Sequence, residues 1–226
     1  PNIPTRIPEN YLLASAEQRT DPAMLLGFLR TQQVTVAVLP PSFLRTLDHA
    51  DLPLRILLTA GESAIIEDVR HYAPRLTYIN AYGPTEAAVC NSLAIIEADS
   101  LSLESPNVPI GRPLPGTELY LLDADLNPVP IGVDGELFIG GHGLASGYWR
   151  QPKLTAQAFV PHPFSDQPEA RLYRTGDIGR WLPDGQVVFL GRRDGQIKLR
   201  GHRIETEEIA QVLQTHPAVN EAVIML

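Results

Sequence analysis

With 226 residues, 44% of them hydrophobic, and a formal net charge of −8, the chain can bury a sizeable core but has no excess of cations to lay against a nucleic acid. Its one cysteine, Cys90, excludes an internal disulfide and fits a reducing, cytoplasmic compartment. No apolar run has membrane-spanning length, no signal-peptide pattern is visible, and a first residue of Pro1 leads us to expect a segment of a longer protein.

Residues 1–108 alternate between helix and strand. The spacing predicts an amphipathic helix over 23–29, an apolar strand over 34–39 closed by Pro40-Pro41, a strand over 55–59, a helix around 65–72 and a strand over 76–80. Such βαβ alternation implies a parallel sheet with buried strands, whose ligands gather at the strand C-termini; the Gly61-Glu62 turn and the loop 82–86 fall at such ends. From Pro109 to residue 193 short strands at 118–122, 136–140 and 187–190 are separated by Pro, Gly and Asp turns, which predicts an antiparallel, barrel-like subdomain with a hairpin at Asp184-Gly185. Residues 194–226 read as the start of a small α+β domain. There Thr206 caps a helix with Glu207 and Glu208 in its first turn, Ile209, Val212 and Leu213 share a face, and His216-Pro217 stops it. An apolar strand over 222–226 has no continuation, so this unit is expected to be truncated, as the first is at its N-terminal side.

Four segments carry chemistry. In Asn80-Ala-Tyr-Gly-Pro-Thr-Glu86 the Gly-Pro pair lets the backbone approach a flat ligand. Here Tyr82 offers a ring to a base and the Asn80 amide suits an adenine amino group, while Thr85 and Glu86 supply hard oxygens for Mg²⁺. The bland alternative is a plain turn. In Tyr173-Arg-Thr-Gly-Asp177 an aspartate in a turn can accept two ribose hydroxyls or can simply be a turn residue. Gly191-Arg-Arg-Asp-Gly-Gln-Ile-Lys-Leu-Arg-Gly-His-Arg-Ile-Glu205 supplies the planar fork of Arg192, a flexible pair at Asp194-Gly195 and three further cations, Lys198, Arg200 and Arg203, which could equally be a solvated basic turn. In Gly135-Glu-Leu-Phe-Ile-Gly-Gly-His-Gly-Leu-Ala-Ser-Gly-Tyr148 the glycines read as structural. The six histidines show no metal-ligand spacing, and no Gly-x-Ser-x-Gly elbow supports a hydrolase.

In this order the four segments resemble the adenylate-forming enzymes, and most closely the amino-acid-activating adenylation domains of nonribosomal peptide synthetases, over nearly the whole chain. The resemblance implies ATP and Mg²⁺ as cofactors, with catalytic roles for Thr85 and Glu86, Glu86 meeting the metal, and nucleotide contacts from Gly61, Asn80, Ala81, Tyr82, Asp177 and Arg192. It implies a pocket for an apolar amino or carboxylic acid lined by Val38, Leu58, Ala60, Ala81, Val89 and Cys90, and a hinge at Asp194 about which the small domain turns. The partner would be a peptidyl carrier domain bearing phosphopantetheine, within the same synthetase; nucleic acid and membrane are not implied. The family's Ser/Thr/Gly-rich phosphate loop and C-terminal catalytic lysine have no counterpart in these residues, and Phe189 stands where several relatives carry tyrosine. A stand-alone acyl-CoA or aryl-acid ligase of the same fold and a non-catalytic binding module remain the alternatives.

Overall fold

Asp21 starts the first helix: its side chain accepts the Met24 amide at 3.0 Å, and Pro22 occupies the first turn, where a missing N–H costs nothing. The computed structural model describes residues 11–97, 107–193, 196–199, 202–204, 206–216 and 218–224. The helix α1 (Pro22–Thr31) turns Leu25 and Leu29 inward. The strand β1 (Val36–Val38) leads into α2 (Pro41–Thr46), whose Ser42 backbone N–H and hydroxyl donate to the Glu62 carboxylate at 2.8 and 3.0 Å. After β2 (Ile56–Thr59), α3 (Ile66–Tyr72) carries Glu67 and Asp68 in its first turn and Arg70 and His71 in its last, each matched to the helix dipole.

Parallel pairing joins β1, β2 and β3 (Thr77–Tyr82), with Val38 opposite Leu58 and Leu58 opposite Ile79. The strand expected over 34–39 is three residues long: among the described residues it pairs with β2 alone, and Val38 is 63% exposed. By contrast β3 extends two residues past its expected end, since the antiparallel β4 (Ser92–Ile96) pairs with it from Tyr78–Ile96 to Tyr82–Ser92. Asn80 therefore lies inside a strand and not at its end.

The chain continues through β5 (Pro109–Pro113), β6 (Thr117–Leu122), β7 (Asp134–Gly141), α4 (Pro152–Ala158), β8 (Phe159–Pro161), β9 (Arg171–Trp181) and β10 (Val187–Arg192). The hydrogen-bonded order is β1-β2-β3-β4-β5-β10-β9-β7-β6, with β8 on β9. The expected change to antiparallel strands is present, as is the hairpin between β9 and β10. Hydrogen bonding nevertheless passes through β5 without a break, because β5 pairs with β4 on one side and β10 on the other. Packing is what changes: one core gathers Leu25, Leu44, Leu57, Val69, Tyr72 and Tyr78, and another gathers Ile110, Leu119, Leu121, Leu137, Ile139 and Val187.

A separate antiparallel pair, β11 (Ile197–Leu199) and β12 (His202–Ile204), precedes α5 (Thr206–Gln214), the helix expected there. The strand expected over 222–226 is not formed at 221–224, where Val223 is 74% exposed and no described strand lies alongside; residues 225 and 226 lie outside the described residues.

Candidate nucleotide and acyl site

A return loop leaves β3. Its ends are pinned where the Asn91 N–H donates to the Tyr82 carbonyl and the Asn91 side-chain amide to the Ala87 carbonyl, both at 2.8 Å. Within it, 85–87 form one 3₁₀ turn, followed by Ala88 and Val89 at φ +63° and +71°. Two successive non-glycine residues in this region, one of them β-branched, are strained backbone that the surrounding bonds must hold, and such strain collects at working sites. The turn leaves Thr85 exposed and buries Glu86. Glu86 is gripped from two directions. Its Oε1 accepts the Tyr148 hydroxyl at 2.8 Å, and its carbonyl accepts the Ala145 N–H at 2.8 Å.

Asp177 does not sit in a turn, as the sequence suggested, but inside β9. The reason is a bulge: between the pairs Arg174–Phe138 and Ile178–Glu136, β9 sets Thr175, Gly176 and Asp177 against Leu137 alone, with Gly176 at φ +75°. The strand runs on while its side chains are re-aimed. Asp177, 5% exposed, faces Arg192 directly across the β9–β10 ladder. One carboxylate oxygen pairs with Arg192 Nη1 at 2.5 Å and the other accepts the Tyr82 hydroxyl. Thr175 Oγ1 donates to the Leu137 carbonyl at 2.7 Å and accepts the Asp177 N–H at 2.9 Å. Burial, reinforced by the Asp177 charge, pushes the Tyr82 phenol well above its ordinary value, so it remains a hydrogen-bond donor at neutral pH.

Two expectations change in consequence. Tyr82 does not hold a ring out for a base: it is 9% exposed, with its centroid 6.4 Å from that of Phe189. Nor is the Asn80 amide turned outward. It is 3% exposed, donates to the Pro109 carbonyl at 2.8 Å and accepts the Thr59 hydroxyl at 3.4 Å, as a buried carboxamide must be satisfied from within.

Beside this cluster opens a cleft of about 300 Å³ lined by Tyr148, Tyr173, Thr175, Gly176 and Arg192 and by a second ionic group, Glu136 with Arg174 and Arg193. The Arg174 guanidinium is bidentate on Glu136 at 2.7 and 2.8 Å, and Arg193 approaches the same carboxylate at 3.5 Å. Among the expected pocket residues, register puts Val38, Leu58 and Ala81 on the sheet face opposite the one carrying Leu57 and Tyr78. Ala60 follows β2 directly, next to the exposed Gly61 at φ +86°, and Val89 and Cys90 belong to the return loop. Lys198 and Arg203 are cross-strand partners in the β11–β12 hairpin, whereas Asp194, Gly195, Arg200, Gly201 and Glu205 lie outside the described residues.

Residues 9–149 match the family model described as AMP-binding enzyme. The chain belongs to that family. Over 202 residues it is 50% identical to a component of the linear gramicidin synthase of Brevibacillus parabrevis, covering 89% of this chain and 4% of that protein. It is 46% identical over 216 residues to tyrocidine synthase 1 of the same organism, covering 95% of this chain and 19% of that one. Among solved structures it is similar to PA1221, an NRPS protein containing adenylation and PCP domains, with a TM-score of 0.82, 32% identity, and coverage of 90% of this chain and 42% of that one. The resemblance read from the four segments therefore holds, and the fold is that of adenylation domains; the chain spans less than half the length of each of these relatives.

Membership of that family implies Mg²⁺ beside the nucleotide. Among the described residues no group of three or more His, Cys, Asp or Glu converges. Glu86 presents a single hard carboxylate on a pinned turn. One carboxylate with the rest of the shell from water and phosphate is the usual way Mg²⁺ meets a nucleotide, so the residues fit. Sequence reasoning missed the contributions of Tyr148, Glu136 and Arg174. The motif containing Tyr148 was visible, but its hydroxyl meets Glu86 only across 62 residues of chain.

Proposed function

We propose that this chain serves ATP-dependent activation of an amino or related carboxylic acid in nonribosomal peptide synthesis, followed by transfer to a carrier-bound phosphopantetheine. A carboxylate oxygen of the acid attacks the α-phosphorus of ATP, and pyrophosphate leaves. The pantetheine thiolate then attacks the acyl carbon of the mixed anhydride, and AMP leaves. The observation that carries this reading is the buried Tyr82–Asp177–Arg192 cluster: Tyr148, which holds Glu86, lines the same cleft as Arg192.

In this reading Asp177 meets the ribose hydroxyls and Arg192 the ribose or phosphate, with Gly61 and the 80–82 backbone beside the adenine. Thr85 and Glu86 face the phosphates, where bound Mg²⁺ offsets developing charge. Val38, Leu58, Ala60, Ala81, Val89 and Cys90 line an uncharged pocket, in which a buried charged side chain would lack a partner. Asp194 is the hinge between a core of residues 1–193, divided near 108, and a small domain from 194 onward. The PCP domain of PA1221 supports a peptidyl carrier domain as partner. A cytoplasmic location is part of this proposal; among the described residues no helix is long and apolar enough to cross a membrane.

The test is ATP–pyrophosphate exchange by the complete synthetase protein against a panel of acids. Phenylalanine, leucine or an aryl-alkanoic acid should be preferred, with neighbours in size also accepted, since one methylene is worth about 1–3 kcal/mol in an apolar pocket. Residues 1–226 alone should show no exchange. A clear preference for a charged side chain overturns the pocket, and exchange by the isolated segment overturns the need for further residues.

A further inference from the structure

The loop between β7 and α4 does more than turn the chain. It reaches from the antiparallel half of the sheet to the 3₁₀ turn after β3 and touches it repeatedly. The Ala145 N–H donates to the Glu86 carbonyl, the Tyr148 hydroxyl donates to Glu86 Oε1, and a Cβ added at Gly143 would stand 3.3 Å from the Ala87 carbonyl oxygen. The loop is itself held in place. Arg171, at the start of the strand that carries Asp177, donates to the Ala145 and Ser146 carbonyls at 3.3 and 3.1 Å. The Tyr148 N–H donates to Thr155 Oγ1 at 2.9 Å, and its ring lies 5.8 Å from that of Phe159. Gly147, at φ +140°, lets that approach happen: a Cβ there would stand 2.4 Å from Thr155 Cγ2.

From this arrangement we infer that Tyr148 is a positioning residue for Glu86, fixing one carboxylate oxygen and with it the rotamer from which Glu86 meets the Mg²⁺–nucleotide. A glutamate side chain has three rotatable bonds, and on a strained turn it gains directed geometry only from a partner that is itself rigid. Tyr148 is such a partner: its backbone is tied to α4 and its ring is packed. Packing alone does not account for the tyrosine, because phenylalanine fills the same space; only the hydroxyl makes the bond to Glu86. The same residue also lines the cleft beside Arg192, so it joins the metal-facing carboxylate to the wall of the nucleotide site.

The inference rests on the metal role proposed for Glu86, and the test separates the two. In the complete synthetase protein, Tyr148→Phe and Glu86→Gln are compared by Mn²⁺ binding in the ATP complex, followed by electron paramagnetic resonance, and by the Mg²⁺ concentration giving half-maximal pyrophosphate exchange. Tyr148→Phe should weaken Mn²⁺ and raise the Mg²⁺ half-saturation at least about tenfold, the loss of one hydrogen bond to a charged group. Metal-free ATP binding and the KM for the acid should stay within about twofold of wild type, beyond which the loss counts as general. Wild-type metal affinity in Tyr148→Phe, with affinity lost in Glu86→Gln, overturns the positioning role and leaves the Glu86 assignment standing. Unchanged metal affinity in Glu86→Gln overturns both. A parallel fall in metal-free ATP binding, acid binding and Tm in Tyr148→Phe also overturns the inference, because that is the signature of a folding role.

Discussion

Asp177 shows how much a single side chain is made to do. Its carboxylate is buried, yet both oxygens are engaged, one by the Arg192 guanidinium and one by the Tyr82 hydroxyl. A buried carboxylate is tolerated when charge-assisted bonds replace its hydration, and here the partners come from β3 and β10, far apart in sequence. Asp177→Asn keeps an acceptor for Tyr82 but removes the charge that holds Arg192. We expect the KM for ATP to rise at least about tenfold, the loss of a charge-assisted contact, while the KM for the acid changes little. Steady-state kinetics with ATP and the acid varied separately checks this; equal effects on both would remove Asp177 from the nucleotide side. The strain at Ala88 and Val89 belongs to the same scale. Left-handed backbone costs about 1–2 kcal/mol per non-glycine residue, and it persists because the Asn91 bonds and the Val89 N–H to the Pro84 carbonyl, at 3.1 Å, hold the loop shut.

Among the elements, β5 is the seam. It pairs with β4 on one edge and β10 on the other, and so carries the sheet from one core to the other. The pairing depends on Gly111 at φ +84°, where a Cβ would stand 1.8 Å from the Leu93 carbonyl oxygen and 2.4 Å from the Ala94 nitrogen. These are backbone atoms and cannot step aside without opening the β4–β5 ladder. Gly111→Ala should therefore cost more than about 2 kcal/mol, the strain of the conformation together with the lost pairing. Urea unfolding followed by circular dichroism measures it, and a cost below about 0.5 kcal/mol, the range of an ordinary surface change, would contradict the seam. A second tie acts between β7 and β9, where Glu136, 6% exposed, holds Arg174 with a bidentate pair beside the Asp177 bulge.

At the scale of the molecule, alkaline pH probes the first core directly. Burial pushes the phenols of Tyr72 and Tyr78 up to about 12 from an ordinary value of 10.0. A group whose folded value is raised contributes stability that is fully present below its unfolded value and is lost as pH rises through the folded one. Between pH 10 and 12 the unfolded chain has released protons that the native chain still holds, so stability falls by about 1.4 kcal/mol per pH unit for each tyrosine. Tyr78→Phe removes one of these titrations and should reduce the slope by about that amount. Denaturant melts at a series of pH values across this window report it, and an unchanged slope would mean that Tyr78 ionises as freely in the fold as outside it.

Local chemistry was legible without the fold. Pro22 and Asp21 at a helix start, the Asp-Gly hairpin, the apolar runs of β2 and β3, and the four motifs all depend on residues adjacent in sequence, whose backbone preferences act wherever the chain goes. The fold class and the family resemblance followed from them. The length of β1, the placement of Asp177 and the inward turn of Asn80 and Tyr82 were not legible, because each is settled by partners distant in the chain. Among the described residues β1 has a neighbour on one side only, a bulge forms where strands must share one register, and a buried amide takes a carbonyl from a strand distant in sequence. The hydroxyl of Tyr148 on Glu86 is the same kind of fact: the order of residues guarantees that both are present, but they meet because folding brings together two positions 62 apart in the chain.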